Sequence, residues 1–211
     1  NRVLHTPITN VEELKFDMIS QLEGIDRGEK VIIVIDSVGN LASKKELEDA
    51  INEKSVADMS RAKALKGLFR MTTPYLNMKD IPLLAVNHTY KEIGLFPRDV
   101  VSGGTGIYYS ADNIWIIGRQ QDKQGTEIKG YHFVINVEKS RYVKEKSKIP
   151  ISVSWDGGVQ HWSGLLDVAI AGNYVNKPSA GWYCRVDKST GELVEPKVRE
   201  KETLNPDFWK P

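Results

Sequence analysis

Asp36 and Ser37 set a carboxylate and a hydroxyl side by side at the end of residues 31–35 (VIIVI), five consecutive β-branched apolar residues. Such a run, after Gly28 and before Gly39 and Asn40, predicts a strand buried on both faces, as in a parallel sheet covered by helices on either side. The pair would then stand at the strand's carboxyl end, the rim where open α/β sheets bind ligands. Hard oxygens at that rim suit a Mg²⁺ ion positioned against the phosphates of a nucleotide. An aspartate that merely caps the next helix gives the same pattern. A second apolar run, residues 81–86, also ends in polar side chains, Asn87 and His88, so two strands direct polar groups to one rim.

A nucleotide site of this kind needs a loop to cradle the phosphates, and the pattern G-x-x-x-x-G-K-[ST] does not occur. Gly103, Gly104 and Gly106 lie close together, but no Lys-Ser or Lys-Thr follows them. The chain opens on Asn1 rather than on methionine, and residues 2–5 already read as a strand. The sequence is therefore expected to be the later part of a longer polypeptide. A domain that never carried a phosphate loop is the alternative, and on either reading this chain alone is expected not to hydrolyse a nucleotide.

A chain of 211 residues allows one α/β domain with a small appendage. Charged residues make up 27% and nearly cancel, leaving a net charge of +1, so contacts to nucleic acid must come from local patches. The single Cys184 permits no internal disulfide and fits a reducing compartment. No apolar run approaches the length of a bilayer-spanning helix, and no signal-peptide pattern opens the chain. The sequence reads as cytosolic.

The elements that must hold these residues follow from periodicity. Thr9 or Asn10 caps a helix in which Val11, Leu14, Met18, Ile19 and Leu22 recur at helical spacing. A second helix is predicted over 55–69, stopped by Pro74. Regular periodicity vanishes over 89–106, a stretch with four glycines, Pro97, Lys91 and Arg98. Residues 113–117 resume as a strand, 120–130 form a polar turn, and 131–137 with 149–155 are antiparallel strands around a lysine-dense connection. A short helix is expected at 165–171, and beyond 177 the sequence is polar with aromatic pairs, Trp182–Tyr183 and Phe208–Trp209.

The ordered set VIIVIDSVGNLASKKE (31–46), AVNHTY (85–90), SGGTGIYYSAD (102–112) and NVEKSRYVKEKSK (136–148) resembles the RecA-like recombinases, most closely the UvsX type of large tailed phages. The likeness covers most of the chain before Tyr183. It implies a RecA-like ATPase core over 1–176, an α/β fold with a mostly parallel central sheet flanked by helices and an antiparallel extension, and a C-terminal extension over 177–211. In that fold the first core strand and the phosphate loop would lie upstream of Asn1, leaving a gap between the strands at Leu83 and Ile114. The cofactors implied are ATP and Mg²⁺. The partners implied are single-stranded and double-stranded DNA, further copies of the chain in a helical filament, and single-strand-binding and mediator proteins, in the cytoplasm of an infected host and with no membrane.

The resemblance also carries roles onto matching positions. Asp36 and Ser37 look like the Walker-B pair, with Asp36 holding Mg²⁺ through water. Asn87 and His88 resemble the end-of-strand group that responds to the γ-phosphate and passes its state to the following loop; the bland reading of His88 is a core histidine satisfied by a carbonyl. Residues 49–56, with Lys54, resemble a first DNA-binding loop, and residues 90–105, with Lys91, Phe96, Arg98, Gly103 and Gly104, a second. Leu95 and Phe96 either tuck against the core or separate bases beside the loop's cations. Lys139 and Arg141 resemble a basic pair that reaches the neighbouring subunit's ATP, whereas Lys144, Lys146 and Lys148 read as a solvated hairpin. Trp115, Trp155 and Trp162 read as core or interface residues, and His5, His132 and His161 have no ligand-spaced neighbours. Two rivals share these features: a hexameric helicase with the same core, and a RecA-like module that binds DNA or a partner without hydrolysis.

Overall fold

Asn10 opens the first helix, α1 (Val11–Gly24), by accepting the backbone N–H of Glu13 at 2.8 Å, which satisfies one of the donors a helix start leaves unpaired. Glu13 reaches back to accept the hydroxyl and the backbone N–H of Thr9, and these bonds hold its carboxyl below the usual carboxylate range. The apolar positions of the helical period, Val11, Leu14, Met18 and Leu22, are all buried. The computed structural model describes residues 3–54, 59–124 and 126–210. The chain divides into two units, Asn1–Ile114 and Trp115–Pro211.

In the first unit, α1 leads to β1 (Ile33–Ile35), a 3₁₀ turn (Val38–Asn40), α2 (Lys44–Ile51), α3 (Ser60–Lys79) and β2 (Leu83–Ala85). β1 and β2 pair in parallel, Ile33 opposite Leu83 and Ile35 opposite Ala85. Ile33, Ile35 and Leu83 pack on a core of Val11, Leu14, Met18, Leu65, Leu68 and Phe69 from the two long helices. The opposite face carries Ile32, Val34, Leu84 and Val86, each 44–60% exposed. The strands are therefore covered on one face rather than on both as their composition predicts.

Helix α3 runs through Pro74 instead of stopping there. Buried positions lie on both sides of the proline, Thr72 before it and Leu76 after it, while Pro74 itself is exposed. Packing on either side of it thus outweighs a proline penalty of roughly 3 kcal/mol. Helix α2 lies where periodicity gave no helix. A capping box starts it, with the Ser43 N–H donating to Glu46 at 2.6 Å and the Glu46 N–H to Ser43 Oγ at 3.1 Å.

After β2 the chain forms a hairpin, β3 (Thr89–Lys91) and β4 (Asp99–Val101), and a short helix, α4 (Thr105–Ser110). The stretch read as aperiodic thus contains two short strands. The second unit begins within β5 (Asn113–Gln124) and continues through β6 (Glu127–Ser140), β7 (Lys148–Ser154) and β8 (Gly158–Val159), a sheet in chain order with β6 antiparallel to β7 and β7 to β8. The turn expected over 120–130 is shorter, because β5 extends to Gln124. α5 (Leu165–Ala171) follows, then the antiparallel strands β9 (Val175–Ser179), β10 (Trp182–Val186) and β11 (Leu193–Arg199). Tyr183 and Phe208 enter a core with Ala169 and Val175, and Trp162 stacks on Trp209 at 6.3 Å between centroids. Trp115 and Trp155 are exposed.

The sheets are therefore mostly antiparallel, which corrects the mostly parallel arrangement expected from the sequence. Parallel pairing requires a crossover of a dozen or more residues, and the passage from β1 to β2 through α2 and α3 supplies one. The paired strands from β3 onward are joined by short turns, which favour antiparallel neighbours. Among the described residues no helix is long and apolar enough to cross a membrane. Residue 2, and residues 55–58 from the predicted start of the second helix and the end of the 49–56 loop, lie outside the described residues.

Candidate functional site

β1 ends at Ile35, and the end of β2 fastens the chain on both sides of the next two residues. Val86 donates its N–H to the Ile35 carbonyl at 2.9 Å and accepts the Val38 N–H at 2.9 Å. Asp36 and Ser37, joined by a cis peptide bond, are held between these two bonds. The Asp36 side chain is exposed, whereas Ser37 Oγ is buried with no hydrogen-bond partner. A buried hydroxyl without a partner carries a desolvation cost that a ligand oxygen or a hydrated cation would remove. An aspartate and a hydroxyl are hard oxygen donors of the kind Mg²⁺ takes, usually alongside several waters and phosphate oxygens. Among the described residues no three His, Cys, Asp or Glu side chains gather to hold a metal by themselves. A cation here would thus take most of its ligands from water and nucleotide.

The adjacent end of β2 carries Asn87 and His88. The Asn87 side chain accepts the His88 N–H at 2.9 Å and donates to the Ser102 carbonyl at 2.8 Å, while the Ser102 N–H donates to the His88 carbonyl at 2.9 Å. His88 is exposed and is not a core histidine. Its ring lies against Gly39, where an added Cβ would come within 2.9 Å of His88 Cγ and 3.1 Å of Asn87 Oδ1. The residue two positions after Ser37 therefore touches the end of the neighbouring strand, and glycine is what permits the approach.

Ser102 closes the hairpin that these residues carry. Lys91 pairs with Asp99 at 2.8 Å across β3 and β4, and the Glu92 N–H donates to the Arg98 carbonyl at 2.9 Å. At the tip Ile93, Leu95 and Phe96 are 86–101% exposed, so Leu95 and Phe96 do not tuck into the core. Gly103 and Gly104 both have positive φ and turn the chain into α4. The φ of +94° at Gly103 is what calls for glycine, and a side chain there would also displace the terminal methyls of Leu65 and Ile107. Lys54 is exposed just past α2, and Asp49–Ile51 of the expected first loop belong to the helix.

Lys139 is half-buried at the end of β6 and Arg141 is exposed in the turn that follows, both in the second unit. Ser140 Oγ shapes that turn by accepting the N–H groups of Tyr142 and Val143, each at 3.1 Å. Sequence reasoning missed Arg61, near the start of α3. Its guanidinium donates to the carbonyls of Leu41 (2.7 Å), Val38 (3.1 Å) and Gly39 (2.9 Å), and more distantly to Ser102 Oγ (3.4 Å). All four acceptors are at least 20 residues away in sequence, and a basic residue in a basic helix gives no local signal of such contacts.

The whole chain aligns with the "Recombination and repair protein" of Enterobacteria phage T4 at 54% identity over 214 residues, covering 55% of that protein. Residues 162–211 match the family described as "Bacteriophage T4, Recombination and repair protein, C-terminal domain". The chain belongs to the RecA/UvsX family of recombination proteins. More distant members include Protein RecA of Tropheryma whipplei, 27% identical over 85% of this chain and 40% of that protein, and Protein RecA of Streptomyces coelicolor, 24% identical over 99% and 54%. The chain spans about half the length of the curated relatives it matches.

Proposed function

We propose that this chain is the greater part of the ATPase core of a strand-exchange recombinase. The complete protein assembles as a helical filament on single-stranded DNA, binds ATP·Mg²⁺ between subunits and pairs the bound strand with a homologous duplex. The observation that carries this reading is the buried, unpartnered Ser37 Oγ beside the exposed Asp36, at the end of a strand whose neighbour is hydrogen-bonded to the base of the hairpin. Asp36 holds Mg²⁺ through water, and Ser37 and Asn87 bind on the nucleotide side. His88 passes the state of that site to residues 90–105. The metal ion, when bound, neutralises charge on the transferring phosphoryl group.

Lys54, Lys91 and Arg98 attract the DNA backbone, Phe96 offers an apolar face to the bases, and Gly103 and Gly104 contribute backbone N–H groups to a phosphate. Lys139 and Arg141 act on the ATP of the neighbouring subunit, as cations that stabilise phosphoryl transfer. Single-strand-binding and mediator proteins would act on the filament as accessory partners. The test is strand exchange by the complete protein carrying this chain, between a circular single strand and a homologous linear duplex with ATP and Mg²⁺. Joint molecules that need homology are the expected result. Duplex unwinding without homology would identify a helicase, and DNA binding without nucleotide turnover a silent module.

A further inference from the structure

Ser102 is held by every polar group it has. Its carbonyl accepts Asn87 Nδ2, its N–H donates to the His88 carbonyl, and its hydroxyl accepts Arg61 Nη1. Two of these tethers come from the end of β2, and the third comes from α3. The same guanidinium takes three carbonyls of the turn that follows Asp36 and Ser37: Val38, Gly39 and Leu41. The Val38 carbonyl also accepts the Leu41 N–H at 3.3 Å within the 3₁₀ turn, whereas Gly39 and Leu41 lie at the end of that turn, where carbonyls lack intrahelical donors. Arginine's rigid planar fork can serve them together, whereas an ammonium acts as a point donor.

The lengths of the four bonds divide the fork into a firm side and a loose side. The three carbonyl bonds are 2.7–3.1 Å, while the arm to Ser102 Oγ is 3.4 Å, at the edge of hydrogen bonding. Val38 adjoins Ser37 in the chain, and Gly39 lies under the His88 ring. A ligand that drew Asp36 or Ser37 toward itself would shift the Val38 and Gly39 carbonyls, turn the guanidinium with them, and so alter its hold on Ser102.

We propose that Arg61 is a positioning residue that couples the Asp36–Ser37 turn to the hairpin's exit at Ser102, by a route separate from the Asn87–His88 side chains. This inference rests on the proposed function, in which that turn holds nucleotide and the hairpin holds DNA. Coupling of this kind is a ratio of affinities, so its measure is how much nucleotide tightens DNA binding.

The experiment uses the complete protein and a fluorescent oligo(dT) strand, with dissociation constants measured with and without a non-hydrolysable ATP analogue plus Mg²⁺. Arg61→Lys keeps the positive charge and avoids the loss of folding that Arg61→Ala risks. It is expected to cut the nucleotide-induced tightening by about fivefold or more, within the usual range of allosteric couplings. DNA affinity without nucleotide, and its salt slope, should stay near wild type. Ser102→Ala should lower the ratio in the same direction, and the double variant should be no worse than Arg61→Lys alone, because both remove one link. A wild-type ratio in Arg61→Lys overturns the inference, as does an equal loss of affinity with and without nucleotide. A wild-type protein whose DNA affinity ignores nucleotide overturns the proposed function and this coupling with it, and that failure is visible before any variant is made.

Discussion

The side-chain amide of Asn87 donates to the carbonyl oxygen of Ser102 across 2.8 Å, fastening the end of β2 to the point where the hairpin leaves the fold. Asn87→Asp keeps an acceptor for the His88 N–H but cannot donate to Ser102, and it brings a negative charge toward a carbonyl. We predict a loss of about 1–3 kcal/mol in stability, as for other hydrogen bonds broken on one side only. Hydrogen–deuterium exchange across residues 99–104 of the complete protein should accelerate, and unchanged exchange there would mean that the tether holds nothing.

Lys91 and Arg98 should not contribute equally to DNA binding. Lys91 is already paired with Asp99 at 2.8 Å, whereas the Arg98 side chain has no ion-pair partner among the described residues. Arg98→Ala is expected to lower the slope of log affinity against log salt by about 0.7 for single-stranded DNA, the value for one phosphate contact. Lys91→Ala should lower it by less. Titrations of an oligonucleotide at several salt concentrations measure both, and equal slopes for the two variants would contradict the pairing argument.

Local signals made much of this fold legible and long-range contacts did not. The Asn10 cap, the α1 stripe from Val11 to Leu22, the antiparallel β6–β7 pair and α5 at Leu165–Ala171 each follow from residues close in sequence. Pro74 misled because burial of Leu76, decided by tertiary packing, overrode a local breaker. The apolar runs at 31–35 and 81–86 suggested strands covered on both faces, but composition cannot say how many faces are covered, and Ile32, Val34, Leu84 and Val86 are exposed. The Ser43–Glu46 capping box was a readable signal of α2 that periodicity alone passed over. At the site, the adjacency of Asp36–Ser37 to Asn87–His88 was implied by two strands ending in polar groups. The Arg61 fork, built from residues 20–41 positions apart, left no trace in the pattern.

Lys139→Ala or Arg141→Ala should suppress ATP hydrolysis through the neighbouring subunit. Charge-stabilising fingers of this type supply roughly 10³–10⁵ in rate where they are essential. Mixing either variant with an Asp36→Asn protein should restore activity above the sum of the two alone, because mixed filaments contain some intact interfaces. Strict additivity at every mixing ratio would remove the case for action across subunits.

Cys184 is fully buried in β10, and burial, followed by the negative charge of Glu195, pushes its thiol above the ordinary range. The neutral thiol is thus favoured in the folded state. Its contribution to stability is present below the ordinary thiol pKa and is lost as pH rises through and beyond it. Iodoacetamide at mildly alkaline pH should modify Cys184 slowly in the native complete protein and rapidly in denaturant. Equal rates would contradict its burial.

Asp36 and Ser37 are proposed to hold Mg²⁺·ATP in the complete protein, and DNA-stimulated ATP hydrolysis by wild type and by Asp36→Asn across a Mg²⁺ titration, with circular dichroism to verify the fold, tests this directly. Asp36 is exposed and its replacement is nearly isosteric, so the variant should keep the native spectrum. We predict turnover at least about tenfold lower, a loss of roughly 1.4 kcal/mol in transition-state stabilisation, and a shift to higher Mg²⁺ requirement. Wild-type turnover with an unchanged Mg²⁺ dependence would contradict the account and return Asp36 to the role of an ordinary polar residue at a strand end.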